Sequence, residues 1–142
     1  MSRVGTFHAA GAADAIALML AEPLSFWGGV DVETGVIIDR SHPDLGKIVS
    51  GRVLVMPSGR GSSSSASVLA EMIRRKVGPV GIVLARADPI LTVASLVAQT
   101  LYGLHCPIVV CPIDGIRSGD RVRISSARDG GALVDTSGSA QS

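Results

Sequence analysis

Apolar positions along this chain fall into two repeating patterns. Val53-Leu54-Val55-Met56 is an uninterrupted apolar run of strand length, and Val68, Leu69, Met72 and Ile73 follow it at helical spacing through Lys76. The same order returns with Val80-Gly81-Ile82-Val83-Leu84 as a strand. A helix then begins at Pro89 behind Asp88 as N-cap, carries Leu91, Ala94, Ser95, Ala98 and Leu101 or Tyr102, and closes at Gly103. Pro107-Ile108-Val109-Val110 is the next strand, so the middle of the chain reads β-α-β-α-β with a parallel sheet implied. Toward the amino terminus, Arg3 to Phe7 and Val36-Ile37-Ile38 are expected strands, and Lys47 to Met56 holds one or two, broken near Ser50-Gly51. Toward the carboxyl terminus, Arg121-Val122-Arg123-Ile124-Ser125 alternates like a half-exposed strand, and Ala132 to Val134 adds a last one. Residues 9–20 allow two readings. Ala, Leu and Met favour a helix, whereas Ile16 to Leu20 also suits a buried strand; propensity alone gives the helix, and Pro23 ends the segment either way. The class is α/β: one domain over residues 1–135 and a disordered tail over 136–142.

Composition narrows the function. A chain of 142 residues can bury a core without staples, and with 46% hydrophobic but only 3% aromatic residues that core must be packed from Ala, Val, Leu and Ile. A net charge of +1 with both signs interspersed leaves no basic stripe, and scarce aromatics leave no stacking platform, so nucleic acid is not an expected partner. The chain shows no leader pattern and no apolar run of membrane-spanning length, which predicts a cytoplasmic protein with no membrane partner. Cys106 and Cys111 flank Ile108-Val109-Val110 at a spacing that fits neither a zinc pair nor a redox pair, and read as buried thiols at the two ends of a strand. With His8, His42 and His105 scattered, the chain has no set of ligands for an iron-sulfur cluster, and any such cofactor must come from another chain.

The stretch with most chemistry is Pro57-Ser58-Gly59-Arg60-Gly61-Ser62-Ser63-Ser64-Ser65-Ala66-Ser67, between a strand and a helix. A helix starting there leaves its first N–H groups without intrahelical partners and points its positive end at the loop, which favours an anion. Glycines allow close approach, and four consecutive hydroxyls offer caps, ligands and one candidate base. A flexible turn with a surplus of N-caps would look the same. Ser64 stands where a dinucleotide fingerprint needs its third glycine, and neither a P-loop nor a nucleophile elbow is present. A second loop, Pro23-Leu24-Ser25-Phe26-Trp27-Gly28-Gly29-Val30-Asp31, gathers the single Trp and one of two Phe. The pair Phe26-Trp27, with Gly28 and Gly29, plugs the open end of a core, forms a wall for a substrate or partner, or does both. His42, ahead of Pro43 in a polar loop, is expected to be extended and exposed.

Taken in order, Pro23 to Asp31, then Thr34-Gly35-Val36-Ile37-Ile38-Asp39 with His42-Pro43, then Gly59-Arg60-Gly61-Ser62-Ser63-Ser64-Ser65, resemble the small subunit of aconitase X, the swivel-domain family, over about residues 1–120. The resemblance implies a swivelling β/β/α fold like the mobile last domain of aconitase, and it makes Ile16 to Leu20 a strand. It also implies a heterodimer with an aconitase X large subunit, which carries the iron-sulfur or iron centre; this chain itself would hold no cofactor and no metal. The position matching the serine base of aconitase relatives is Ser62, with Arg60, Gly61, Ser63, Ser64 and Ser65 around the substrate. A serine base needs a dry site and nearby positive charge, which Arg60 and the backbone N–H groups of residues 62–65 would supply. Those relatives carry a carboxylate-binding arginine where this chain has Ser64, which suggests a different or smaller substrate.

The implied activity is that of a hydro-lyase acting on a metal-bound hydroxy acid. The resemblance offers cis-3-hydroxy-L-proline, dehydrated to Δ1-pyrroline-2-carboxylate, and mevalonate 5-phosphate. Arginine outnumbers lysine and the chain is rich in alanine, unlike the lysine- and glutamate-enriched style of hyperthermophiles, which favours the bacterial hydroxyproline activity. In a different class altogether, the chain would be a non-catalytic swivel or anion-binding module that positions a partner enzyme.

Overall fold

The computed structural model describes residues 1–61 and 63–138. Among these described residues seven strands close into a barrel: β1 (Ser2–Ala9), β2 (Ala13–Met19), β3 (Val53–Met56), β4 (Gly81–Leu84), β5 (Ile108–Val110), β6 (Arg121–Ser126) and β7 (Ala132–Ser137). Their hydrogen-bonded order is β1-β5-β4-β3-β2-β6-β7, with β7 returning to β1. β2, β3, β4 and β5 run parallel, the expected β-α-β-α-β unit extended by one strand, while β1, β6 and β7 are antiparallel. Helix propensity in residues 13–19 gives way here: pairing of Ala17 with Val53 on one side and Asp14 with Arg123 on the other holds the segment extended.

Alternate residues of the parallel strands serve two cores. Val53, Val55, Val83 and Val109 point into the barrel with Val122, Ile124 and Val134, where β-branched side chains fill the interior. Leu54, Met56, Ile82 and Leu84 face outward and are covered by α2 (Ser64–Arg74) and α3 (Pro89–Tyr102) through Leu69, Met72, Leu91, Ala94 and Ala98. Burying each of the larger side chains contributes about 1.5–3 kcal/mol. The limits of α3 follow its sequence signals: Asp88 Oδ1 accepts from the N–H groups of Ile90 and Leu91, and Gly103 ends the helix in the left-handed region at φ 65°.

Three expectations change. Val36-Ile37-Ile38 does not form a regular strand; Ile37 bridges Val30 and Val36 bridges Ile48, inside a long connection between β2 and β3. His42 is buried rather than exposed, because its Nε2 donates to Glu22 O at 3.2 Å and its Nδ1 accepts from Asp44 N–H at 3.0 Å. β7 continues through Thr136 and Ser137, paired with Val122 and Arg121, and so takes in the first two residues of the expected tail. Residues 139–142 of that tail lie outside the described residues.

Candidate active site

Because β2 to β5 are parallel, the segments that follow β2, β3 and β4 all leave from one edge of the sheet, the edge at which open α/β sheets bind ligands. After β3 comes the serine loop. Gly59 pairs with Leu24 in a parallel bridge, which draws the loop onto the segment after β2. A side chain at Gly59 would run into Asp88 Oδ2 and Leu91 Cδ1, so this glycine is set by close approach to the start of α3. Gly61 has φ +114°, and a Cβ there would lie 2.5 Å from Ser25 Oγ and 2.9 Å from Ser65 Oγ. It therefore needs both the left-handed conformation and the missing side chain.

The segment after β2 is α1 (Phe26–Gly29), a single turn interrupted at Trp27 and at Gly28, where φ is +80°. Its tie to the serine loop is Ser65: Trp27 N–H donates to Ser65 Oγ at 3.3 Å, Ser25 Oγ lies 3.4 Å from the same oxygen, and Ser25 Oγ donates to Trp27 O at 3.1 Å. The aromatic pair splits. Phe26 is 1% exposed and belongs to the core, so it is no wall for a ligand or partner, whereas Trp27 is 62% exposed beside the serine loop. Gly29 is buried, and its carbonyl accepts from the N–H groups of Ile38 and Asp39. Gly28 is exposed, with open space where a side chain would be.

Those two hydrogen bonds bring in a third segment. Asp39 Oδ2 lies 3.3 Å from Arg60 Nη2, and Asp39 Oδ1 accepts from both Ser41 Oγ (2.7 Å) and Ser41 N–H (2.9 Å). These Ser41 bonds, with Arg60 and His42 adding smaller attraction, hold the Asp39 carboxyl below its ordinary range, so it is ionised at neutral pH and offsets the charge of Arg60. His42 fastens the Asp39–Asp44 turn to Glu22 and has no free ring nitrogen for chemistry.

Of the expected site residues, Arg60, Gly61, Ser63 and Ser64 are exposed at this edge. Ser65 is turned inward and 2% exposed, its hydroxyl occupied by Trp27 and Ser25, so it positions Trp27 rather than a substrate. Ser63 starts α2 without a side-chain cap bond. The expected base, Ser62, lies outside the described residues. Asp39 and Arg86 escaped the reading of the sequence. Arg86, two residues past β4, donates its N–H to Pro57 O at 3.0 Å and its Nη2 to Ser58 Oγ at 3.3 Å. The signal that would have found it is its place after a parallel strand next to β3. Cys106 and Cys111 stand at opposite ends of β5, and burial pushes both thiols up, Cys106 to about 12, so they do not suit a shared cluster.

Comparison with known proteins gives one consistent set of matches. The family model of the aconitase X swivel domain matches residues 3–133. A cis-3-hydroxy-L-proline dehydratase of Pseudomonas aeruginosa is 43% identical over 99 residues, 70% of this chain but 17% of that protein. The chain thus spans less than a fifth of that relative's length. A phosphomevalonate dehydratase small subunit of Methanopyrus kandleri is 46% identical over 86 residues, covering 61% of this chain and 64% of that one. Among solved structures, aconitase X of Thermococcus kodakaraensis in its holo-form superposes with a TM-score of 0.84 at 26% identity, covering 96% of this chain and 98% of that one.

Proposed function

This chain belongs to the aconitase X swivel-domain family, and we propose that it is the small subunit of a two-subunit dehydratase, closing over a small hydroxy acid held by an aconitase X large subunit. One observation carries the reading: the serine loop, the start of α2 and exposed Trp27 converge at the carboxyl edge of the parallel strands. We place the iron or iron-sulfur centre on the large subunit, since the two cysteines of this chain do not suit one. The complex is assigned to the cytoplasm; among the described residues no helix is long and apolar enough to cross a membrane.

This chain's part in the reaction is the proton. Loss of water from a hydroxy acid breaks the C–H bond beside the carboxylate, its electron pair becomes the new double bond, and the neighbouring carbon releases its hydroxyl. Ser62 is assigned as the base that takes the proton. A serine alkoxide is costly in water, and the amides of the first turn of α2 lower that cost inside an enclosed site. Gly61, Ser63 and Ser64 frame the substrate, and Trp27 meets the large subunit or walls the substrate.

The substrate we assign is cis-3-hydroxy-L-proline. Its single carboxylate asks for fewer cations than a carboxylate plus a phosphate, and Arg60 at this edge is already offset by Asp39. Reconstitution with the large subunit tests the assignment: hydroxyproline turnover supports it, and turnover of mevalonate 5-phosphate alone refutes it. In the same complex Ser62→Ala should lower turnover about 10²- to 10⁴-fold and abolish exchange of the substrate α-proton with solvent, leaving binding nearly unchanged. Ser63→Ala and Ser64→Ala are expected to act on binding. Normal turnover in all three would reduce the chain to a positioning module.

A further inference from the structure

We propose that Arg86 binds the carboxylate of the substrate, a role that rests on the dehydratase reading above. The register of the sheet puts it there. Met56 and Leu84 are partners in the parallel β3–β4 ladder, so the residues just beyond each strand emerge side by side. Arg86 N–H closes on Pro57 O at 3.0 Å, which fixes the backbone of the β4–α3 connection against the first residue of the serine loop. Its side chain then reaches along that loop to Ser58 Oγ at 3.3 Å.

Charge balance sets it apart from Arg60. Arg60 faces Asp39 at 3.3 Å, and the Ser41 bonds keep that carboxylate ionised, so Arg60 brings little net charge to a ligand. Asp88 is the acidic group nearest to Arg86 in sequence, but its Oδ1 caps α3 through Ile90 and Leu91 and its side chain packs against Gly59. Among the described residues no carboxylate lies within 4.0 Å of the Arg86 guanidinium. Arg74 and Arg75, by contrast, share Glu71, and Arg121 pairs with Asp14. An exposed arginine is ordinarily solvated; this one is held over the candidate site by its backbone, and among the described residues its tip is tethered only by a neutral hydroxyl. Exchanging that single bond for two parallel bonds to a carboxylate is the exchange a planar guanidinium is built for.

The test uses the reconstituted complex and the full chain alone. In the complex, Arg86→Gln should raise KM for the hydroxy acid roughly 10- to 100-fold, the range for losing a hydrogen bond to a charged group. The inhibition constant of the matching carboxamide should stay within about twofold, because the amide has no charge to lose. Arg86→Lys should restore part of the affinity, as a point charge without the fork. Melting temperature and association with the large subunit should match wild type in both variants, which separates ligand binding from a structural or interface role. An unchanged KM in Arg86→Gln, or equal losses for acid and amide, overturns the proposal while the wild-type turnover leaves the dehydratase reading standing. Should the wild-type complex turn over neither hydroxy acid, that reading fails, and amide-shift titration of the chain alone with malonate decides the anion site. Shifts at Ser58 and Arg86 that vanish in Arg86→Gln would uphold it; their absence in the wild type would refute it.

Discussion

Replacing Gly61 by alanine probes the joint that brings the serine loop to the Trp27 turn. Two costs arise. At φ +114° an alanine sits outside its allowed regions, worth about 1–3 kcal/mol. The new methyl also lies 2.5 Å from Ser25 Oγ and 2.9 Å from Ser65 Oγ, with Ser25 Cβ at 3.3 Å, so Ser25 must move and surrender its bond to Trp27 O, for roughly another 1 kcal/mol. A loss of about 2–4 kcal/mol lowers the melting temperature by roughly 6–16 °C in a domain of this size. The chain still folds at 25 °C, since domains of this length hold on the order of 7–20 kcal/mol. Two companions separate the causes. Gly51→Ala meets only strain, with φ +69° and open space around it, and should lose about 3–4 °C. Gly59→Ala meets only contact, with Leu91 Cδ1 at 2.8 Å and Asp88 Oδ2 in its way. Scanning calorimetry of the three, with turnover in the complex, reads the result. A Gly61→Ala melting point within 2 °C of Gly51→Ala would refute the idea that Ser25 and Ser65 pack against this loop.

Three other expectations rest on single groups. Cys106 titrates at about 12 folded against an ordinary 9.0, so the unfolded state releases its proton first and stability falls as pH rises from about 9 to about 12, by about 1.4 kcal/mol per pH unit for one thiol. Denaturation curves of wild type and Cys106→Ala across that range should differ by this slope, and parallel curves would show the thiol to be accessible. Asp88→Ala removes a cap that accepts two backbone N–H groups and should cost about 0.5–2 kcal/mol by urea unfolding, with Asp88→Asn nearly neutral. Phe26→Ala, in the core, should cost roughly 3–5 kcal/mol, while Trp27→Ala leaves the melting point nearly unchanged and weakens association with the large subunit; a large melting-point drop for Trp27→Ala would move Trp27 into the core.

Sequence alone was informative where structure is set locally. Asp88, Pro89 and Gly103 bound α3 through bonds spanning no more than six residues, and the strands flanking the two helices are uninterrupted apolar runs. Where local signals left a choice open or pointed the wrong way, long-range contact decided. Residues 13–19 are extended because β3 and β6 flank them, though their composition favours a helix. His42 is buried because the chain folds back to bring Glu22 O within 3.2 Å, twenty residues away, and no local pattern announces that. Phe26 and Trp27 are indistinguishable by composition, yet a bend at Trp27 sends one ring into the core and leaves the other outside. The serine loop was legible as a place for chemistry; its partners were not. Asp39 reaches Arg60 across 21 residues and Arg86 reaches Ser58 across 28, and both pairings exist only once the strands are in register.

That same register explains why the chain should be inert by itself. Arg60, Gly61, Ser63 and Ser64 are all exposed, so water reaches the serine loop from the open side of the strand edge. A hydroxyl with a water-like affinity for its proton gains little from one helix terminus in high dielectric, where the attraction of two unit charges at 4 Å is only about 1 kcal/mol. Excluding water raises that attraction several-fold without adding any group. On the proposed reading, then, the large subunit completes the base by covering it, and Trp27, whose side chain is exposed and whose backbone N–H donates to Ser65 on the serine helix, is where the cover would register. Closure and basicity become one event. Solvent exchange of the substrate α-proton should therefore depend on both subunits in the same titration that assembles them, and exchange catalysed by this chain alone would refute that coupling.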